Sequence, residues 1–276
     1  MTAVEPEPSA RALAHVKGVV SGPPLDPSLD VTVHFHPDRL VGGEPLLRHL
    51  VRDGVYRSQF ETGTSNGGLT AYPGGDRWRW EHQMFAGAYD DAAPSQRPTY
   101  GSLNYRRHQA GGSVRFGSAH LRLARHVLTR TTFCYPDSST QPTDFGTMEH
   151  MPLLDLATAD HLDILDDHIE AHVHGRLHLD HDVEAIVLDP SYRGTDIEEA
   201  AHDLPLHVEW HHGFRLHIDD LTRHPNFRGP QVVQAGLAIA RDDWLDARII
   251  GEAVREGRFD PQTLKRVWHC TARFGH

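Results

Sequence analysis

The sequence contains few cysteines and no long apolar run, and both shortages limit what the protein can be. Its two cysteines, Cys134 and Cys270, lie far apart, which gives neither a CxxC metal knuckle nor a disulfide framework and fits a reducing compartment. The N-terminal stretch MTAVEPEPSARALAHVKGVV lacks the basic start and apolar core of a signal peptide. No run approaches the roughly 20 apolar residues that a membrane-spanning helix needs. We therefore expect a cytoplasmic protein without a membrane partner.

Basic residues are also in short supply. The chain has 27 Lys and Arg against 38 Asp and Glu, for a net charge of −11. This charge repels a polyanion such as duplex DNA, so general nucleic-acid binding is not expected. The 276 residues suffice for a sizeable core. We expect a lead-in segment over 1–30, one main domain over 31–229 and a helical extension over 230–276.

Histidine, in contrast, is abundant, with 23 residues, so clusters of histidines carry more weight than single ones. In VTVHFHPDR (31–39), apolar and polar residues alternate, which predicts a half-buried strand with His34 and His36 facing the same way. The stretch IEAHVHG (169–175) alternates likewise and predicts a second strand with a polar side. That side carries Glu170, His172 and His174.

Between and after these strands, the pattern predicts an alternation of helices and strands. A helix follows Gly43-Glu44-Pro45 and ends at Gly54, whereas residues 72–112 are expected to be irregular. The other expected strands are 55–60, 114–116, 121–123, 130–135, 183–188 and 206–211. We expect strand 183–188 to pair with strand 169–173 across a short turn. The C-terminal helices are expected to begin at Pro230, at about Asp243 and at Pro261, after the capping residue Asp260.

The residues alone favour two kinds of site. The His-x-His strands offer four imidazoles beside Glu170, a donor set that suits zinc or iron and indicates a metal-dependent hydrolase. The polar turn ETGTSNGG (61–68) offers hydroxyls and backbone N–H groups that suit a phosphate or a ribose. The residues of this turn that we single out are Thr62, Thr64 and Ser65.

A set of short motifs in a fixed order carries a resemblance to a known family over about residues 31–230. The motifs are HFHPDR, YRSQFETGTSNGG, GGDRWRWE, MFAGAYD, RPTYGSLNY, IEAHVHG and VLDPSYRGT. This order resembles an uncharacterised bacterial family, a domain of unknown function. That family in turn is similar to ADP-ribosyltransferases, including effectors that modify threonine of ubiquitin.

The resemblance implies an α+β fold with a split, largely antiparallel sheet and a helical C-terminal extension. It implies NAD as substrate and transfer of ADP-ribose to a protein acceptor, with threonine of ubiquitin as one acceptor class. For an effector it also implies delivery into another cell without a Sec-type signal, as an alternative to a role in the cell that makes it. Glu170 takes the place of the catalytic glutamate on a late strand.

The same resemblance implies NAD-binding residues in two further motifs. On the first strand the candidates are His34, His36 and Arg39, and for the group that stacks on nicotinamide they are Phe60 and Tyr89. These alternatives stay open at this point. His168 stands two residues before Glu170, where arginine-modifying enzymes of the class place a second acid, so an arginine acceptor is not expected. A metal-dependent hydrolase and a non-enzymatic binding module remain the competing interpretations.

Overall fold

The computed structural model describes residues 6–63 and 70–276, which form helices around a mostly antiparallel sheet. The helices are α1 (Pro8–Val19), α2 (Leu46–Asp53), α3 (Gln59–Thr62), α4 (Asp76–Met84), α5 (Leu153–Asp160), α6 (Leu179–Asp182), α7 (Asp196–His202), α8 (Ile218–Arg223), α9 (Pro230–Ile239), α10 (Ala247–Glu256) and α11 (Pro261–Phe274). The strands are β1 (Val31–Phe35), β2 (Leu40–Val41), β3 (Glu44–Pro45), β4 (Val55–Tyr56), β5 (Thr99–Leu103), β6 (Ala119–Leu123), β7 (Thr131–Tyr135), β8 (Asp144–Thr147), β9 (Ile169–Val173), β10 (Leu177–His178), β11 (Val183–Leu188), β12 (His207–Trp210), β13 (Leu216–His217) and β14 (Trp244–Leu245).

Eight of the strands form one continuous sheet in the order β12-β11-β6-β1-β5-β9-β7-β8. All neighbours in it are antiparallel except β11 and β12, which run parallel and are joined through α7. The α+β class is therefore confirmed, with a mostly antiparallel sheet. The split of the sheet is not seen in the described part of the chain, because β1 and β5 bridge its two halves.

The two faces of this sheet differ sharply in polarity. Val33, Phe35, Ile169, Ala171 and Val173 are fully or almost fully buried in the main hydrophobic cluster, as the alternation of strands β1 and β9 predicts. The residues between them are polar and lie on the other face. This alternation is the reason that polar side chains from several strands meet there.

One row of that polar face crosses the centre of the sheet. Thr32 of β1 lies opposite Ser102 of β5, Ser102 lies opposite Glu170 of β9, and Glu170 lies opposite Cys134 of β7. Strand β9 is thus flanked on both sides, so Glu170 sits in the interior of the sheet rather than at an edge. The next row holds Tyr100, His172 and Thr132.

Local signals in the sequence account for several confirmed elements. Strand β1 begins at Val31 as expected, and α2 ends at Gly54, which is left-handed (φ 65°) and donates its backbone N–H to the carbonyl of Leu50 at 3.0 Å. The C-terminal helices α9 and α11 begin with Pro230 and Pro261.

Three expected elements were wrong. Only Val55–Tyr56 of the stretch 55–60 is a strand, because Ser58 and Glu61 form a capping box that starts helix α3. Residues Val114–Phe116 form a 3-10 turn rather than a strand. The stretch 72–112, expected to be irregular, contains helix α4 and strand β5, which lies between β1 and β9 in the sheet.

The expected pairing of strand 183–188 with strand 169–173 was also wrong. Strand β11 pairs with β6 and β12, on the far side of β1 from β9. The residues between β9 and β11 form β10 and α6 rather than a tight turn, so the chain crosses to another part of the sheet.

The C-terminal helices pack against the core that the sheet forms. Trp268 of α11 is fully buried, and its indole Nε1 donates a hydrogen bond to the carbonyl oxygen of Val114 at 2.8 Å. Within the described residues, no helix combines the length and the apolar character that crossing a membrane requires.

Candidate active site on the polar face of the sheet

A cavity of about 340 Å³ opens on the polar face of the sheet. Its walls come from β1, β5 and β9 on one side and from α2, α3, α4 and β4 on the other. The side chains that matter most for chemistry are His34, Arg39, Thr62, Arg77, Tyr100 and Glu170. A cavity of this size with charged groups on its walls is typical of a small-molecule site.

Glu170 is held in this cavity by one of its two carboxylate oxygens. Oε1 accepts hydrogen bonds from Nε2 of His172 at 2.9 Å, from the backbone N–H of Ser138 at 3.2 Å and from the thiol of Cys134 at 3.8 Å. Each of these hydrogen bonds uses Oε1, and no other described residue hydrogen-bonds to Oε2, so that oxygen is left to face a ligand. The carboxylate is therefore fixed in orientation, and its Oε2 can accept a hydrogen bond from a ligand.

The surroundings of Glu170 keep it ionised. Burial raises the pKa of this carboxyl, but the hydrogen bond and charge of His172, the charge of Arg77 and the hydrogen bond from Ser138 together lower the pKa to about 2. Glu170 is thus a carboxylate near neutral pH, although its residue is only 8% exposed.

His34 lies in the cavity wall with both ring nitrogens engaged by the backbone. The N–H of Ser113 donates to Nε2 at 3.2 Å, so Nδ1 carries the proton and donates to the carbonyl of Gly117 at 3.3 Å. Its ring stacks on that of His120 with centroids 5.1 Å apart. Burial lowers the pKa of His34 to about 3, so it is a neutral wall residue with little hydrogen-bonding capacity left for a ligand.

Close packing fixes the His34 ring in this position. Gly111 has φ +87°, and a Cβ at that residue would lie 2.5 Å from Nε2 of His34 and 2.9 Å from Nδ1 of His120. Only glycine allows the chain to adopt this conformation at this distance.

Arg39 lies on the cavity wall after the turn in which its N–H donates to the carbonyl of His36. Burial lowers the pKa of Arg39 from its very high ordinary value, and the guanidinium remains charged. Of the three candidates on the first strand and its turn, Arg39 is the one with charged donors at the cavity.

His36, Phe60 and Tyr89 do not line the cavity. His36 follows the end of β1, and its ring meets that of Trp268 edge-on at 5.4 Å. Phe60 lies beneath the guanidinium of Arg97, which is 4.1 Å from its ring centre. Tyr89 is fully buried, and its hydroxyl is 2.7 Å from Nδ1 of His174.

Of the hydroxyl residues in the turn after α3, Thr62 lines the cavity, and its Oγ1 donates to the carbonyl of Ser58 at 3.3 Å. Thr64 and Ser65 lie outside the described residues.

Sequence reasoning missed two residues of the cavity, Arg77 and Tyr100. The guanidinium carbon of Arg77 lies 4.0 Å from the centre of the Tyr100 ring, and that ring meets His172 edge-on at 5.1 Å. Both residues fall within motifs of the family resemblance, GGDRWRWE and RPTYGSLNY, which was the available signal. The helical period of α4, which turns Arg77 and Glu81 inward, was not recognised.

The His-x-His pairs do not meet as one metal site. Across residues 6–63 and 70–276, two groups of three metal-type ligands have donor atoms within 4.8 Å of one another. These are Cys134, Glu170 and His172 at the cavity, and His126, His181 and Asp182 elsewhere. His34, His36 and His174 belong to neither group.

Comparison with known proteins adds a family but no activity. The family described as "Protein of unknown function (DUF3626)" matches residues 30–158 and 149–273. No curated protein matches the sequence.

Proposed function

The chain belongs to the DUF3626 family, and we propose that it is an NAD-dependent mono-ADP-ribosyltransferase. In this reaction the bond between nicotinamide and C1′ of the ribose breaks, and its electron pair leaves with neutral nicotinamide. C1′ then bonds to a nucleophilic oxygen of a macromolecular acceptor, which loses its proton to solvent. Hydrolysis to free ADP-ribose is the side reaction when water takes the place of the acceptor.

The observation that carries this proposal is the ionised carboxylate of Glu170 on the cavity wall. Breaking the nicotinamide bond develops positive charge on the ribose, and a fixed carboxylate beside it lowers the barrier. Since Oε1 is occupied by His172, Ser138 and Cys134, Oε2 is the oxygen that accepts a hydrogen bond from a ribose hydroxyl. The carboxylate does not have to reorganise as the charge develops.

Among the candidates on the first strand, we assign the ligand-binding role to Arg39. Its guanidinium offers charged N–H donors to a phosphate or a ribose oxygen, whereas the two nitrogens of His34 are engaged with Ser113 and Gly117. His34 then shapes the wall. His36 contacts Trp268 outside the cavity and is not part of the proposed site.

Neither of the two residues expected to stack on nicotinamide is part of the proposed site. Phe60 and Tyr89 lie outside the cavity lining, whereas the ring of Tyr100 is part of it. However, the guanidinium of Arg77 covers one face of the Tyr100 ring, and the His172 ring meets the Tyr100 ring edge-on. We therefore assign Tyr100 to the wall that orders Arg77 and His172, and leave the stacking role without a residue.

The acceptor we propose is a hydroxyl-bearing protein side chain, with threonine of ubiquitin as the first one to test. Arginine acceptors are disfavoured, because the residue two positions before Glu170 is His168. Its buried ring nitrogens make no hydrogen bond within the described part of the chain, and burial lowers its pKa. A neutral imidazole supplies no negative charge to hold a guanidinium.

Transfer is tested by incubating the protein with biotin-labelled NAD and either purified ubiquitin or a cell lysate. We expect a labelled protein that disappears with Glu170→Gln and persists with Glu184→Gln, an exposed glutamate of β11 outside the cavity. Label transfer that survives Glu170→Gln rules out the assignment of Glu170. If NAD neither raises the melting temperature nor is consumed, a non-enzymatic binding module becomes the better interpretation.

A metal-dependent hydrolase is a second candidate because of one observation. The donor atoms of Cys134, Glu170 and His172 lie 2.9 to 3.9 Å apart, close to the roughly 3.3 to 3.6 Å between neighbouring ligands of tetrahedral zinc. However, burial and the charge of Glu170 raise the pKa of the Cys134 thiol well above its ordinary value, and metal binding requires the thiolate. The NAD reaction therefore remains our first proposal.

A further inference from the structure

Arg77 is a buried cation at the cavity wall. It lies in helix α4, its residue is 7% exposed, and its guanidinium stacks on the ring of Tyr100 at 4.0 Å and lies 5.4 Å from the ring centre of Trp80. Removing a guanidinium from water costs several kcal/mol unless hydrogen bonds or an opposite charge compensate.

That compensation is incomplete. Within residues 6–63 and 70–276, Nε and Nη1 of Arg77 are buried and have no hydrogen-bond partner. The side chain of Arg77 does form a hydrogen bond with Tyr100, which carries no charge to offset that of the guanidinium. The charges of Glu81 and Glu170 both act on Arg77, but each carboxylate is paired with another group: Glu81 lies 2.6 Å from Nη1 of Arg97, and Glu170 is hydrogen-bonded to His172. In the part of the chain that the structure describes, no carboxylate oxygen lies within 4 Å of the Arg77 guanidinium.

Tyr100 explains why Arg77 stays in this position. Its hydroxyl donates to Oε1 of Glu81 at 3.1 Å, which fixes the ring on which the guanidinium rests. Burial lowers the pKa of Arg77, but Tyr100 and Glu170 raise it above its ordinary value, so the side chain remains charged. The protein thus holds an incompletely paired positive charge at the wall of the cavity that contains Glu170.

We propose that Arg77 binds a phosphate-type oxyanion of the ligand that enters this cavity. A planar guanidinium binds phosphate oxygens through two parallel hydrogen bonds, and such a ligand would supply the charge that the protein does not. The ionised Glu170 and the charged Arg77 together suit a ligand with a positive and a negative end. The inference that Arg77 binds a phosphate group does not depend on the proposed function. The identification of that phosphate as the pyrophosphate of NAD does rest on the proposed function.

The test is calorimetric titration of the full chain with inorganic pyrophosphate and with NAD. We expect Arg77→Gln to weaken the Kd for both by about tenfold or more, since a charge-assisted pair is lost. Arg79→Gln is the matched control, because Arg79 lies on the same helix, is exposed and pairs with Asp76. We expect its affinities to stay within twofold of the wild type.

If Arg77 served only to stabilise the fold, Arg77→Gln would lower the melting temperature of the ligand-free protein. Because Arg77→Gln removes an incompletely compensated buried charge, we expect the melting temperature of the ligand-free variant to equal or exceed that of the wild type. Arg77→Lys serves as a second variant that retains the charge, and we expect it to bind pyrophosphate more weakly than the wild type. A wild type that does not bind pyrophosphate, or an Arg77→Gln or Arg77→Lys variant that binds it as tightly as the wild type, overturns the inference.

The two proposals fail separately. If pyrophosphate binds through Arg77 but the wild type releases no nicotinamide from NAD, the phosphate site stands and the transferase does not. If nicotinamide is released while Arg77→Gln keeps its full affinity for pyrophosphate, the transferase stands and the phosphate site does not.

Discussion

Nε2 of His172 lies 2.9 Å from Oε1 of Glu170, two residues away on the same strand. Both side chains are on the polar face of β9, and the His172 ring is buried beneath Tyr100 and Phe85. The hydrogen bond orients the carboxylate and is the largest influence that counters the effect of its burial. His172 is therefore a positioning residue for the proposed catalytic glutamate.

The first prediction concerns pH. The pKa of Glu170 is lowered to about 2, so the side chain stays ionised from pH 8 down to pH 5. The rate of nicotinamide release by the wild type should therefore not fall in this range through protonation of Glu170. In His172→Ala, burial is opposed only by weaker interactions, so the pKa of Glu170 should rise and turnover should fall at pH 5 relative to pH 7.5. Identical pH profiles for both proteins would contradict the role of His172.

The second prediction concerns the binding of NAD by Arg39. Replacing Arg39 with glutamine removes a charged donor at the cavity, and we expect the KM for NAD to rise about tenfold with a smaller change in kcat. Arg48→Gln is the control, since this half-buried residue of α2 pairs with Asp203 outside the cavity. Steady-state kinetics measure both, and an unchanged KM for Arg39→Gln would remove it from the site.

The Pro-Asp-Arg turn after β1 also has a structural role that predicts a stability effect. Asp38 is buried and lies 3.2 Å from Nη1 of Arg255, and a Cβ at Gly251 of α10 would lie 1.6 Å from Oδ2 of Asp38. We expect Gly251→Ala to destabilise the protein by about 1–3 kcal/mol through this clash.

A second helical glycine provides the comparison for that measurement. Gly18 in α1 has nothing within 4 Å of the position of a Cβ, so Gly18→Ala should stabilise the protein by about 0.5–1 kcal/mol. Urea unfolding of the two variants gives both values. Equal effects of the two substitutions would show that Asp38 and α10 are not packed as described.

Metal content separates the leading proposal from its competitor. We expect elemental analysis of the purified protein to show far less than one zinc, iron or manganese per chain, and chelator treatment to leave nicotinamide release unchanged. Cys134→Ser should likewise remain active, because the thiol is only a weak donor to Glu170. Near-stoichiometric metal that is lost in Cys134→Ser would favour the hydrolase.

The sequence was informative where one face of an element is buried. The alternation in β1 and β9 predicts both strands and places Glu170 on a polar face, since side chains on successive residues of a strand point to opposite sides. The left-handed glycine that ends α2 is a similar local signal. Both depend on neighbours in the chain, which are visible in any single sequence.

Strand order and the inward side of α4 were not accessible in this way. The position of β11 beside β6 depends on contacts between residues that are distant in sequence. The short turn expected before β11 led to the wrong prediction that it pairs with β9. Arg77 and Glu81 are charged residues that face inward, against the usual rule that charged residues face solvent. Of the predicted site residues, Glu170, His34, Arg39 and Thr62 line the cavity, whereas Arg77 and Tyr100 also line it but were not predicted.

The most direct test of the central claim is the rate of nicotinamide release from NAD by the wild type and by Glu170→Gln, measured by chromatography. Glutamine keeps the shape of the side chain but supplies no negative charge to the ribose. We predict a decrease of about a hundredfold or more in turnover, with an unchanged circular dichroism spectrum. Release at the same rate by both proteins, or no release by the wild type, would contradict the account.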